Sequence, residues 1–343
     1  MAEPEQPGPE QRELQAAAPS PSAPAPGTPA GVVGLGDIGK GVAGALMKAG
    51  VDLTVCDVRP EATEPFAEGA RVASTPADLA AHARVVVVAV VNDEQVRSVV
   101  AGPDGLLAGF AANTATPPTE GIPSIVVVST IATATVLDLA AQAAVAGVSL
   151  VDCGVSGGPS AAADGQLVCM VGGPEDAVAR VRPVLDVIGS EVLPMGPLGA
   201  GLSAKLARNV VQYGSWLAAY EGQRLAEAAG IDLAQLATAI RASDRRIGGA
   251  ATLMFRPTVA PLRADVRTEA GLIGPMNAAA QLAHKDLRAA IDLGTELGVP
   301  MPAARLTDAL ADAVFGIGPG IDEAIADEAI ADEAEPRTGG PDA

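Results

Sequence analysis

Val85 to Val91 is an unbroken run of seven apolar residues, bounded by Arg84 and Asn92. A strand with one face in water alternates apolar and polar side chains, whereas a run without alternation needs cover on both faces. The run is far short of the ~20 apolar residues that cross a bilayer, so no membrane association is expected. Shorter apolar stretches recur at Gly31–Gly34, Val51–Cys56, Ser124–Val128, Ser149–Asp152 and Leu167–Val171, with helical patterns at Lys40–Ala49, Ala77–His82 and Thr133–Ala146. This alternation predicts an α/β domain over residues 30–195, a doubly wound parallel sheet with helices on both faces.

After Gly199 the pattern becomes helical. The stretch from about Leu202 to Ala229 contains no proline and closes at Gly230, which suits a C-terminal cap. At ~1.5 Å per residue it runs roughly 40 Å, long enough to join two domains. Further helices are expected at 233–241, 277–297 and 303–315, completing an all-helical domain over 196–318, while 256–276, with three prolines, reads as irregular. Residues 1–29 are rich in Pro, Ala, Gln and Glu and lack large apolar side chains, so a disordered tail is expected. The acidic segment 319–343 repeats every five residues, a period that builds no helical stripe, and reads as a second tail.

The chain of 343 residues has a net charge of −19, to which the two tails contribute −3 and −7. No basic stripe is present and only seven residues are aromatic, which argues against nucleic-acid binding. Cys56, Cys153 and Cys169 sit in or beside apolar segments and read as small buried hydrophobes of a reducing compartment. His82 and His284 are far apart and no metal-ligand spacing occurs, so no metal is expected. No secretory or mitochondrial leader pattern is seen at the N-terminus, which makes the cytoplasm the expected location.

The chemistry-bearing residues fall at the joints of this pattern. Gly34-Leu35-Gly36-Asp37-Ile38-Gly39 links the first strand to the first helix. A dinucleotide pyrophosphate needs backbone N–H donors approached closely, and a helix N-terminus supplies them with a partial positive charge. Gly34 permits the tight turn, Gly36 clears the phosphates, and Gly39 lets the helix pack near the sheet. Asp57 ends the second strand, where an acid meets the adenosine ribose hydroxyls and repels a 2′-phosphate. This favours NAD, although nearby Arg59 leaves NADP open. Ser156-Gly157-Gly158 offers a hydroxyl beside exposed backbone amides, a cradle for a carboxylate that is also ordinary turn composition. Lys205 and Asn209 lie one helical turn apart in an apolar setting, where an alcohol can be held and deprotonated.

Together these residues resemble the β-hydroxyacid dehydrogenase family, which includes 3-hydroxyisobutyrate dehydrogenase and tartronate semialdehyde reductase. The likeness covers roughly residues 31–315 in order. It takes in the Gly34–Gly39 loop, Val151 to Gly173 with Ser156-Gly157-Gly158, the Gly199-x-Gly201-x-x-x-Lys205-x-x-x-Asn209 motif, and Lys285-Asp286-Leu287. The resemblance implies a Rossmann-type domain followed by the helical one, and a homodimer or dimer-based oligomer. It gives Lys205 the acid/base role and Asn209 the orientation of the reacting hydroxyl. It places the substrate carboxylate on Ser156, Gly157 and Gly158, with Gln95, Thr130 and Lys285 toward the cofactor. Arg208 stands where many members have a second Asn, and Cys153-Gly154 replaces the common Ala-Pro.

The expected activity is NAD-dependent interconversion of a small β-hydroxy acid and its semialdehyde or keto acid. An imine reductase on the same scaffold is the alternative, against which the presence of Lys205 counts. A non-catalytic dinucleotide-binding protein is the third reading.

Overall fold

The structure, a computed structural model, describes residues 29–112, 121–252, 254, 256 and 258–318. Both expected tails lie outside the described residues, apart from Pro29. Contacts divide the chain into two compact units, one ending at Arg208 and the other beginning at Asn209.

Among the described residues the first unit is built on eight strands: β1 (Ala30–Val33), β2 (Leu53–Cys56), β3 (Arg71–Val72), β4 (Val85–Val88), β5 (Ser124–Val127), β6 (Ser149–Ser156), β7 (Leu167–Gly172) and β8 (Gly189–Gly196). Their order across the sheet is β3-β2-β1-β4-β5-β6-β7-β8. All neighbours are parallel except β6 and β7, so the sheet is parallel-dominant with one antiparallel pair. The valine run feeds both sides of it. Val85 and Val87 join one apolar layer with α1 (Asp37–Lys48) and α4 (Glu175–Ile188). Val86 and Val88 join the opposite layer with α2 (Asp93–Ala101) and α3 (Thr133–Val145). Each of those four valines is at most 4% exposed, and full burial of such a side chain contributes about 1.5–3 kcal/mol.

The structure differs from the sequence reading in instructive places. The strand expected to stop at Asp152 continues to Ser156, because antiparallel β7 supplies partners for Cys153 through Ser156. Helix α4 had no counterpart in the sequence reading and accommodates Pro183 internally.

The helical unit continues α5 (Ala200–Ala228) into α6 (Leu233–Ile247), α7 (Arg267–Glu296) and α8 (Pro302–Phe315). Asp232 caps α6 by accepting the Gln235 amide at 2.8 Å, and left-handed Gly248 ends it. Helix α7 starts inside the stretch read as irregular, since Pro275 is held within the helix rather than ending it.

Candidate active site

Strand β1 lies between β2 and β4, so its C-terminal end is where the winding of the sheet reverses, the usual ligand crevice of such folds. Gly34 leaves β1 with φ +90°, and a Cβ there would press on the Ala89 backbone. Gly39 is buried against the Gly34 carbonyl and has no room for a side chain. At Gly36, the N-cap of α1, a Cβ would meet nothing within 4 Å. Two glycines are therefore required by packing, whereas no described residue stands where a Gly36 side chain would go. The first amides of α1 have no carbonyl of their own helix to bond, and they open beside Gly36. An open cradle at a helix N-terminus fits a dinucleotide pyrophosphate.

Asp57 follows β2. One carboxylate oxygen accepts the Leu35 amide at 2.7 Å, and the other accepts the Arg59 amide at 2.9 Å. The Arg59 guanidinium bonds both oxygens, at 3.1 and 3.2 Å. Burial pushes this carboxyl upward, but the bonds from the Arg59 side chain and the Leu35 and Arg59 amides outweigh it and hold the pKa below the usual range. The sequence reading assigned Leu35 and Asp57 to the cofactor. The structure also ties them to each other, so Asp57 fixes the glycine loop while lying at its edge.

The loops after β4, β5 and β6 open on the same edge, because β1, β2, β4, β5 and β6 run in one direction. The Ser129 hydroxyl accepts the Val90 amide at 2.9 Å, joining the loops after β4 and β5 and leaving Thr130 exposed beside them. Gln95 lies in the first turn of α2. Its amide donates to Asn92 Oδ1 while its own Oε1 accepts from Val91 N, both at 2.9 Å, a reciprocal cap. Ser156 is the last residue of β6, and Gly157 and Gly158 follow at φ +129° and +75°.

Lys205 is half-buried near the start of α5. Burial first, and then the charge of Arg208, lower its pKa from the ordinary lysine value. A lowered pKa raises the fraction of neutral amine at physiological pH, which is what a proton acceptor needs. Asn209 follows one turn later on the same helix, half-buried, at the first residue of the helical unit. Lys285 lies on α7 in the helical unit, exposed, its Nζ 3.1 Å from Asp286. Among the described residues no group of three His, Cys, Asp or Glu is placed to hold a metal ion.

One residue escaped the sequence reading except as the end of a strand. Asp152 is fully buried and accepts the amides of Gly199 at 2.6 Å and Leu202 at 2.7 Å. The signal was present: an acid inside the apolar stretch Leu150–Val155 is rarely buried without partners.

Two family matches meet between residues 196 and 199, just before α5. Residues 29–196 match the family described as the NAD binding domain of 6-phosphogluconate dehydrogenase. Residues 199–324 match that described as NAD-binding of NADP-dependent 3-hydroxyisobutyrate dehydrogenase. An uncharacterized oxidoreductase of Mycobacterium tuberculosis is 39% identical over 269 residues, 78% of this chain and 85% of that one. This chain belongs to the β-hydroxyacid dehydrogenase family. A solved putative oxidoreductase of Mycobacterium avium superposes with TM-score 0.73 at 34% identity, covering 84% of this chain and 99% of the other. A family member solved with L-serine, the 3-hydroxyisobutyrate dehydrogenase of M. tuberculosis, gives TM-score 0.56 at 26% identity, covering 88% and 99%. The β-hydroxyacid dehydrogenase sheet and helical domain are thus both present, with a nicotinamide dinucleotide as the family's cofactor.

Proposed function

We propose that this chain is an NAD-dependent dehydrogenase of small β-hydroxy acids, with Lys205 as general acid/base. The observation that carries the reading is the half-buried Lys205 amine with its lowered pKa. It stands on a helix that begins against β6, the strand that ends at Ser156 and leads into Gly157 and Gly158. A nicotinamide dinucleotide, held at residues 34–39, would supply the hydride acceptor for the alcohol carbon. The protein's part is to hold and to take a proton. Ser156 and the amides of Gly157 and Gly158 grip the carboxylate, Asn209 orients the hydroxyl, and its proton passes to Lys205 Nζ. In reduction the same proton returns to the nascent alkoxide.

The pyrophosphate is assigned to residues 34–39, with Gln95, Thr130 and Lys285 toward the rest of the cofactor. NAD is favoured because the Asp57 carboxylate accepts from ribose hydroxyls and repels a 2′-phosphate. Arg59 is the counterweight, since a 2′-phosphate would compete with Asp57 for its guanidinium. Residues 30–195 are assigned to the dinucleotide and 196–318 to substrate and dimerisation. The proposed homodimer is supported by Val210, Tyr213, Trp216, Leu217 and Tyr220, all exposed on α5. Its location is proposed to be cytoplasmic; among the described residues no helix is long and apolar enough to cross a membrane.

The test is reduction of NAD and NADP over a panel including 3-hydroxyisobutyrate and L-serine, with Lys205→Ala beside the parent. NAD turnover that falls by ~10²-fold or more in the variant supports both class and role. Parent-like turnover by Lys205→Ala would remove the acid/base assignment. Reduction of cyclic imines without oxidation of any hydroxy acid would favour the imine reductase reading.

A further inference from the structure

The N-terminus of α5 is capped by another element. In a capping box, the N-cap side chain accepts the N3 amide and the N3 side chain accepts the N-cap amide. Here the N-cap is Gly199 and the N3 residue is Leu202, neither of which has a side chain able to accept. Asp152 of β6 accepts both amides, one on each oxygen. It is fully buried, and an acid at a helix N-terminus is favoured by the helix dipole. Glycines bring the backbones together around it. A Cβ at Gly172 would overlap Asp152 Oδ1, and one at Gly201 would overlap the Met170 carbonyl. A Cβ at Gly154, two residues beyond Asp152 on the same strand, would overlap the Lys205 Cβ itself.

We infer that Asp152 is the positioning residue for Lys205, fixing the first turn of α5 against β6 so that the Lys205 stem is held against Gly154 and its amine at a set depth. Asp152 touches no reacting atom. It acts through the Gly199 and Leu202 amides, and Gly154 sets how closely the strand approaches the Lys205 stem. The inference rests on the acid/base reading of Lys205 for its catalytic meaning, though not for its geometry. Asp152→Asn keeps the volume but offers one oxygen to two donors and turns an NH₂ toward the second. The start of α5 then loosens, and Lys205 regains water.

The test reads Lys205 directly. The full-length protein is acetylated competitively with acetic anhydride across a pH series, and the Lys205 peptide is quantified by mass spectrometry. Asp152→Asn is expected to raise the Lys205 titration midpoint by half to one pH unit toward ~10.4. At fixed pH that lowers the neutral fraction, and with it kcat for hydroxy-acid oxidation, about three- to tenfold. NADH affinity is expected to stay within about twofold, because the glycine loop bonds to Asp57 and not to Asp152. Gly154→Ala is the second variant, and the same upward shift is expected because the new methyl displaces the Lys205 stem. An unmoved midpoint in a folded variant overturns the inference, even if thermal stability falls, since a merely structural cap lowers stability alone. A shifted midpoint combined with full activity in Lys205→Ala would retain Asp152 as the positioning residue and reject the acid/base reading.

Discussion

The sheet unit and the helical unit each start a helix with a buried carboxylate from elsewhere in the unit, yet they bury their apolar residues very differently. Asp152 caps α5 from within a sheet whose strand residues are covered on both faces. Glu221, on α5, caps α8 by accepting the amides of Ala303 and Ala304, each at 2.8 Å, at the N2 and N3 positions. Among the described residues the cluster around it is small, of Ile291, Val299, Met301 and Ala304, and α6 buries none of its residues. Where the core is continuous a buried cap sets fine geometry, but where the core is thin the same device carries a larger share of stability.

Removing Glu221 gives the largest expected effect on that comparison. Glu221→Ala leaves two amides without acceptors where Glu221 is 5% exposed, and each orphaned buried donor costs about 1–3 kcal/mol. The variant is expected to lose roughly 2–5 kcal/mol of stability in the helical unit, seen as a lower-temperature transition by calorimetry. NADH binding at lower temperature should persist. A single unshifted transition would show that α8 does not depend on this cap.

Gly36→Ala sharpens the contrast from the sheet side. With φ −68° and nothing within 4 Å of the new Cβ, the substitution should leave Tm nearly unchanged. The methyl nevertheless stands where a pyrophosphate would approach the α1 amides, so NADH affinity is expected to fall about tenfold or more, ~1.4 kcal/mol. Gly39→Ala should do the reverse, lowering stability first, because its Cβ overlaps the Gly34 carbonyl. Equal effects of the two on Tm would contradict the division between packing and ligand glycines.

How much of this could be read from the sequence follows the range of the interactions. The four-residue strands at the centre of the sheet were legible because Val85–Val88 and its neighbours carry their burial in local composition. The strand-to-helix turn at Gly34–Gly39 and the placement of Lys205 and Asn209 one turn apart on a single helix were legible because both are local in sequence. Helix α4 and the start of α7 were not, since Pro183 and Pro275 are usually read as breaks and are tolerated here inside helices. The extension of β6 to Ser156 depends on β7, as in the pairing of Ser156 with Val168. Asp152 was the hardest to interpret, because its partners stand 47 and 50 positions away and are backbone amides with no sequence signature.

The smallest expected effect is a pH dependence confined to the helical unit. His284 on α7 faces two aspartates of α8, with Nδ1 2.6 Å from Asp308 and Nε2 3.2 Å from Asp312. Arg288 shares Asp308 at 3.1 Å. The bonds to Asp308 and then Asp312 raise the His284 pKa above its ordinary value, against the opposing effect of burial. A raised folded-state pKa means that protonated His284 stabilises fully below the unfolded value near ~6.5 and stops doing so as pH rises through the folded value. For Asp308, burial acts upward, but the bonds from His284 and Arg288 prevail and lower its pKa, so its contribution is present above about pH 4 and lost below. The clasp between α7 and α8 is therefore strongest from about pH 4 to 6.5. These groups are partly solvated, which limits the effect to about 1 kcal/mol or less. Thermal melts should show the helical-unit transition falling as pH rises above about 6.5 relative to His284→Gln, in which this component is absent. An identical pH dependence in parent and variant would assign the clasp no role in holding the thin core together.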